Sequence, residues 1–212
     1  MTELAEVSGK TRLYEELLFT EEQVTKRVDE MAEEIISQYD PENTLFVGLL
    51  NGALPFHSAL MKSIAHLDPE FHPNAQFMTL SRYGENREPV EQPRLVMDLP
   101  NAYADLTGQV VVVVDDLIDE GVTLNRARDI MLSRGAAEVN SLVLVKKDKE
   151  FVPLGNQAIR GMVKFGFAAP DKWLTGMGMD DARLTIDSNR LGGEGNRWAP
   201  WIAIANPQPE SE

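Results

Sequence analysis

The chain has 212 residues, 43% of them hydrophobic and 25% charged, with no cysteine and a formal net charge of −14. That length fits one domain with a real core, or a domain plus a small lobe, and the missing cysteines exclude disulfide frameworks, thiolate zinc sites and cysteine nucleophiles. The acidity counts against a broad nucleic-acid-binding surface, and no apolar stretch approaches the ~18 residues of a membrane span.

The N-terminal MTELAEVSGK lacks the cationic start and apolar run of a signal peptide, so a reducing cytoplasm is the expected location. Residues 1–40 carry 4 basic and 11 acidic side chains, half of the net charge, and read as a solvated acidic face. Within them, Thr20 with Gln23 resembles a capping box, and Val24, Val28, Met31 and Ile35 recur at helical spacing, which predicts a helix over 21–38 stopped by Pro41.

Thr44–Leu50 is a short apolar run ending at Asn51-Gly52, which reads as a buried strand leading into a turn. Ala53–Leu67 has helical character, with Pro55 tolerable in the first turn. Gln76–Leu80 is a weaker strand. Residues 81–108 contain Gly84, Pro89, Pro93, Pro100 and Gly108 with little periodicity, so they are expected to form a long loop, of the kind that serves as a lid.

Gln109–Val114 holds five consecutive valines, and a run without alternation predicts burial on both faces, as in a parallel sheet. Thr123–Arg134 reads as a helix ended by Gly135, and Ser141–Val145 as another buried strand. The order of elements predicts a single α/β domain, a parallel sheet flanked by helices with its core over about 40–150. Residues 151–205 hold all three tryptophans and no convincing long helix, and are expected to form a small C-terminal hood; 206–212 are expected to fray.

Ligands in such sheets bind beyond the carboxyl ends of strands. At one such end a buried strand runs into Asp115 and Asp116, then Asp119, Glu120 and Gly121, then a helix start carrying Thr123. Backbone N–H groups at a helix N-terminus, with a glycine permitting close approach, form a phosphate cradle, and carboxylates beside it suit magnesium or sugar hydroxyls. The plainer reading is that these acids cap the helix and sit in solvent. Neither a Walker loop nor a G-x-G-x-x-G after a strand is present.

VVVVDDLIDEGVTL resembles the phosphoribosyl pyrophosphate motif of type I phosphoribosyltransferases. Other segments follow in the family's order: LLNGA (49–53) is similar to the pyrophosphate loop, SRYG (81–84) to the lid, and LVKKD (144–148) and PDKWLTGMGMD (170–180) to the purine-binding elements of the hypoxanthine-guanine subfamily. The resemblance covers roughly residues 40–181.

It implies that Asp115 and Asp116 hold the ribose hydroxyls directly or through Mg2+, with Asp180 as a further magnesium ligand beside pyrophosphate. Asp119 would be the general base near purine N7. Glu120, Gly121, Val122 and Thr123 would wrap the 5-phosphate, and Asn51 and Gly52 would present amides to pyrophosphate. Lys146 would donate to purine O6, Trp173 would stack on the base and Leu174 would offer backbone contacts. Ser81, Arg82 and Tyr83 would belong to the lid, and Arg197 matches a late arginine at the pyrophosphate. Without the resemblance, Lys146 reads as a solvated strand end and Trp173 as core packing.

The family also implies a homo-oligomer, a dimer or tetramer, that handles phosphoribosyl pyrophosphate, a purine base and a purine nucleotide. Several positions depart from its pattern. Asp115 stands where glutamate is more usual, Asn51 where lysine is frequent, and Arg82 where a small lid residue is common. Glu120 occupies a place where threonine or serine contacts phosphate, and a carboxylate there repels phosphate unless it points away. A regulator that keeps the fold to sense phosphoribosyl pyrophosphate or nucleotides is the alternative to an enzyme.

Overall fold

The computed structural model describes residues 14–83, 89–148, 162–179 and 196–205. Asp180, the tail 206–212 and the segments 84–88, 149–161 and 180–195 of the expected lid and hood lie outside the described residues.

A short strand, β1 (Glu16–Phe19), leads into helix α1 (Glu21–Gln38). Thr20 caps the helix: its hydroxyl accepts from the Gln23 amide at 3.3 Å, and the Gln23 side chain accepts from the Thr20 amide at 2.9 Å. Glu21 and Glu22 place negative charge in the first turn, where the helix dipole favours it. Val24, Val28, Met31, Ala32 and Ile35 are buried on one face.

Six strands build the main sheet in the order β4-β3-β2-β5-β6-β7: β2 (Thr44–Leu49), β3 (Asn74–Tyr83), β4 (Pro89–Met97), β5 (Val110–Ile118), β6 (Glu138–Asp148) and β7 (Val163–Pro170). All neighbours are parallel except β4, which runs antiparallel to β3. Helix α2 (Leu54–Leu67) connects β2 to β3, and α3 (Val122–Ser133) connects β5 to β6. The valine run explains the layering. Val112 and Val114 pack with the α1 and α2 residues, whereas Val111 and Val113 pack with Leu124, Ala127 and Met131 of α3. A strand covered on both faces has no use for polar alternation.

Three expectations need correction. Residues 81–108 are not one irregular loop: β3 continues through Tyr83 and pairs with β4, and a short 3-10 helix spans Asn101–Tyr103. Pro89 and Pro93 sit on an edge strand, where a missing N–H costs no ladder bond, and Pro100 lies past its end, at the start of the 3-10 helix. Secondly, residues 163–170 belong to the main sheet as β7 and not to a separate lobe. Its alternation is blurred by Gly166, where a Cβ would lie 2.8 Å from the Leu144 carbonyl oxygen and 3.1 Å from the Met31 sulfur, so glycine lets α1 settle on the sheet.

Thirdly, strand β1 was not foreseen. It pairs antiparallel with β9 (Ile202–Ile204), which pairs with β8 (Leu174–Thr175), giving a second sheet of three strands. Leu174, Ile202 and Ile204 pack into the α1/α2 side of the core, and Phe19 stacks on Phe167 with ring centroids 4.1 Å apart.

Candidate active site

A cavity of about 310 Å³ opens beyond the carboxyl end of β5. Its floor is the run Asp115–Leu124, the predicted phosphate segment, and its walls bring in Arg82 from β3, Lys147 from β6, and Trp173, Leu174 and Met179. The strand runs further than expected, through Ile118, so Asp115 and Asp116 lie within β5 and are not loop residues. Such a scaffold fixes side chains more firmly than a loop does.

Asp115 and Asp116 are adjacent, and the Asp116 N–H donates to the Asp115 carboxylate at 3.0 Å. Burial, followed by the neighbouring Asp116 charge, pushes the Asp115 carboxyl well above the ordinary carboxylate range. Burial raises Asp116 as well, opposed by hydrogen bonds and by the Arg197 charge.

After Ile118 the chain turns into α3 through Gly121, whose φ of 75° is left-handed and open to glycine at little cost. The helix has no side-chain cap and no acid in its first turn. Its free N–H groups therefore face the cavity beside Val122 and Thr123, in the arrangement that binds phosphate.

The lysine beside Asp119 is Lys147, and not the Lys146 expected at the purine. Lys147 lies 3.5 Å from Asp119 Oδ2 and 3.2 Å from Asp171 Oδ1, and is 9% exposed. Lys146 does not border the cavity; its ammonium lies over the Phe165 ring, 5.4 Å from the centroid. Neighbouring strand residues point to opposite faces, so only one of the two lysines reaches the site. The register that pairs Asp115 with Val143 and Ile118 with Lys146 carries Asp119 opposite Lys147. Nothing in the sequence distinguishes the two lysines until that register is known.

Trp173 lines the cavity with half its surface exposed, while Leu174 is buried in β8. The Ala205 N–H donates to the Trp173 carbonyl at 2.9 Å and holds the segment. Asn51, Gly52, Ser81 and Arg197 are not on the cavity wall. Gly52 stands directly behind it, because a Cβ there would lie 2.7 Å from Asp116 Oδ2. Arg197 is buried and donates to the Gly178 carbonyl at 2.7 Å. Gly178, at φ 106°, in turn leaves no room for a Cβ, which would fall 1.9 Å from the Gly52 carbonyl oxygen. Arg197 thus braces the loop behind Asp116. Asp180 lies outside the described residues, as does the Tyr83 side chain.

Residues 16–181 match the phosphoribosyl transferase domain family. The chain is 29% identical to a hypoxanthine-guanine phosphoribosyltransferase of Bacillus subtilis, over 91% of this chain and 94% of that one. It is 31% identical to the enzyme of the same name from Aquifex aeolicus, over 84% and 91%. A crystal structure of a hypoxanthine phosphoribosyltransferase from Staphylococcus aureus shares the fold, with a TM-score of 0.71 at 23% identity over 94% of this chain and 95% of that one. These relatives favour an enzyme, and the sensing-regulator alternative finds no support among them. The chain belongs to the phosphoribosyl transferase family, among its hypoxanthine-guanine phosphoribosyltransferases.

Proposed function

We propose that the protein transfers the 5-phosphoribosyl group of phosphoribosyl pyrophosphate to a 6-oxopurine, hypoxanthine or guanine, and releases pyrophosphate. The observation that carries this reading is the sharing of one cavity by two kinds of wall. The bare N-terminus of α3 offers amides for a phosphate, and Lys147 with Trp173 offers a donor and an aromatic face for a base.

In this reading the base lies against Trp173, its O6 accepting from Lys147, which replaces Lys146 in that role. Asp119 takes the proton from purine N7 as the ring nitrogen on the opposite side bonds to C1 of the ribose and the C1–pyrophosphate bond breaks. The loop 120–123 holds the 5-phosphate, and Asp115 and Asp116 the ribose hydroxyls. Asn51 and Gly52 approach pyrophosphate from behind Asp116. The β3–β4 hairpin, with Ser81, Arg82 and Tyr83, is the lid that excludes water, the competing nucleophile at C1.

Two carboxylates whose proton affinity is raised by burial fit a hard cation such as Mg2+, which takes one or two carboxylates and completes its shell with water and substrate phosphate. Asp115 and Asp116, with Asp180, would hold it. Bound there, Mg2+ would neutralise the charge gathering on the leaving pyrophosphate. A cytoplasmic dimer or tetramer is part of the same reading, on the family resemblance alone; no helix among the described residues is long and apolar enough to cross a membrane.

Pyrophosphate release with Mg2+ and phosphoribosyl pyrophosphate, supplying hypoxanthine, guanine, xanthine, adenine, uracil and orotate separately, tests it. Turnover with 6-oxopurines alone is the expected result, and a preference for adenine or a pyrimidine would overturn it.

A further inference from the structure

Glu120 is a problem for a phosphate site. It precedes the left-handed Gly121 and stands on the wall of the cavity next to the free amides of α3. A carboxylate so placed opposes a phosphate dianion, and the cavity is already acidic, with Asp115, Asp116 and Asp119 on the same wall.

The side chain of Glu120 does not turn inward to cap α3, which has no side-chain cap. It turns to β3, where Arg82 donates from Nη2 to Glu120 Oε2 at 2.8 Å. Thirty-eight residues separate the two in sequence. Of the two basic side chains on the cavity wall, Lys147 is already engaged by Asp119 and Asp171. Arg82 is therefore the cation that borders the α3 end of the site among the described residues.

We propose that Arg82 is a phosphate-binding residue of this site, and that its guanidinium offsets the repulsion the Glu120 carboxylate brings there. The inference rests on the reading of the cavity as a phosphoribosyl site. A guanidinium has five N–H donors in a rigid fork, and the bond to Glu120 uses one of them. It bridges carboxylate and phosphate oxygens at once, cancelling the repulsion between them. The pair is also easy to rearrange: the Arg82 and Glu120 side chains are 47% and 39% exposed, and such ion pairs are weak. Two departures from the family pattern thereby explain each other. The arginine on the lid strand compensates the acid in the phosphate loop, which is costly without it.

The test is calorimetric binding of ribose 5-phosphate and of guanosine 5-monophosphate, with guanosine as the phosphate-free control, to the unchanged protein and to Arg82→Ala, Glu120→Thr and the double variant. Arg82→Ala is expected to weaken both phosphorylated ligands by about 10-fold or more, the scale of a charge-assisted hydrogen bond, and to leave guanosine within about threefold. Glu120→Thr binds the phosphates at least as tightly as the unchanged protein. The double variant recovers most of what Arg82→Ala loses, since the uncompensated carboxylate has gone.

Equal weakening of guanosine and the monophosphate by Arg82→Ala would overturn the proposal, and so would strictly additive effects in the double variant. Melting temperatures of the three variants, compared with that of the unchanged protein, show that loss of binding is not loss of fold. Ribose 5-phosphate separates this inference from the reading beneath it. Arg82-dependent binding of that ligand without any binding of the purine nucleotide would sink the purine assignment and keep Arg82. Failure of the unchanged protein to bind either phosphate would sink both.

Discussion

The Lys147 ammonium stands 3.5 Å from the Asp119 carboxylate, across the boundary between β6 and the loop that follows β5. In the proposed reading a donor for one edge of a base stands beside a proton acceptor for another, Lys147 on β6 and Asp119 one residue past the end of β5. The register that pairs Ile118 with Lys146 brings the two residues together.

Replacing Lys147 with alanine is therefore expected to raise the KM for hypoxanthine by about 10-fold or more, the value of a hydrogen bond from a charged donor. Lys146→Ala, which acts over the Phe165 ring outside the cavity, should change it by less than about threefold. Steady-state kinetics at saturating phosphoribosyl pyrophosphate decide the matter, and a reversed ranking would show that the register assignment of the two lysines fails.

Asp119→Asn keeps the shape of the side chain and removes its basicity. Single-turnover rates are expected to drop by ~10²-fold while nucleotide binding persists. An unchanged rate would take the proton-transfer role away from Asp119.

Gly178 and Gly108 make a matched comparison. Both have positive φ, but a Cβ at Gly178 meets the Gly52 carbonyl oxygen at 1.9 Å, and one at Gly108 meets nothing within 4 Å. Gly108→Ala is expected to cost about 1 kcal/mol from backbone strain alone. Gly178→Ala adds a steric conflict with backbone and should cost at least about twice that. Urea midpoints measure both, and equal values would mean that the loop behind Asp116 yields freely.

His57 gives a pH dependence. It is buried on α2, its Nε2 has no hydrogen-bond partner among the described residues, and its ring lies 4.7 Å from that of Phe77. Burial lowers its pKa from 6.5 to about 4. As pH falls below 6.5 the unfolded chain takes up this proton before the folded one does. The stability that neutral His57 contributes is then complete above pH 6.5 and is lost towards pH 4, by roughly 3 kcal/mol in all. Urea unfolding at pH 7 and pH 4.5 should show a smaller fall in His57→Leu than in the unchanged protein. Parallel falls would place the acid sensitivity elsewhere.

Much of this architecture is legible in the sequence. The Thr20–Gln23 box fixes the start of α1, the valine run marks a strand buried on both faces, and the acids before Gly121 locate the site. What escapes is set by contacts between distant residues. Pro93 signals a break locally, yet an edge strand tolerates it. The four residues of β1 have no pattern of their own and become a strand only through β9. The choice between Lys146 and Lys147 belongs to sheet register. The Arg82–Glu120 pair joins residues whose substitutions look unfavourable until both are seen together.

The small sheet has a consequence for the order of assembly. β1 pairs with β9 from nearly the opposite end of the described chain, and β9 holds β8 and with it the Trp173 wall. Pairing so distant in sequence costs the most chain entropy to close. During synthesis the Asp115–Leu124 floor of the cavity and the main sheet have all their strands once β7 emerges, while the Trp173 wall must wait for β9. A chain interrupted before residue 202 would keep the cavity floor at the end of β5 and lack an anchored Trp173 wall.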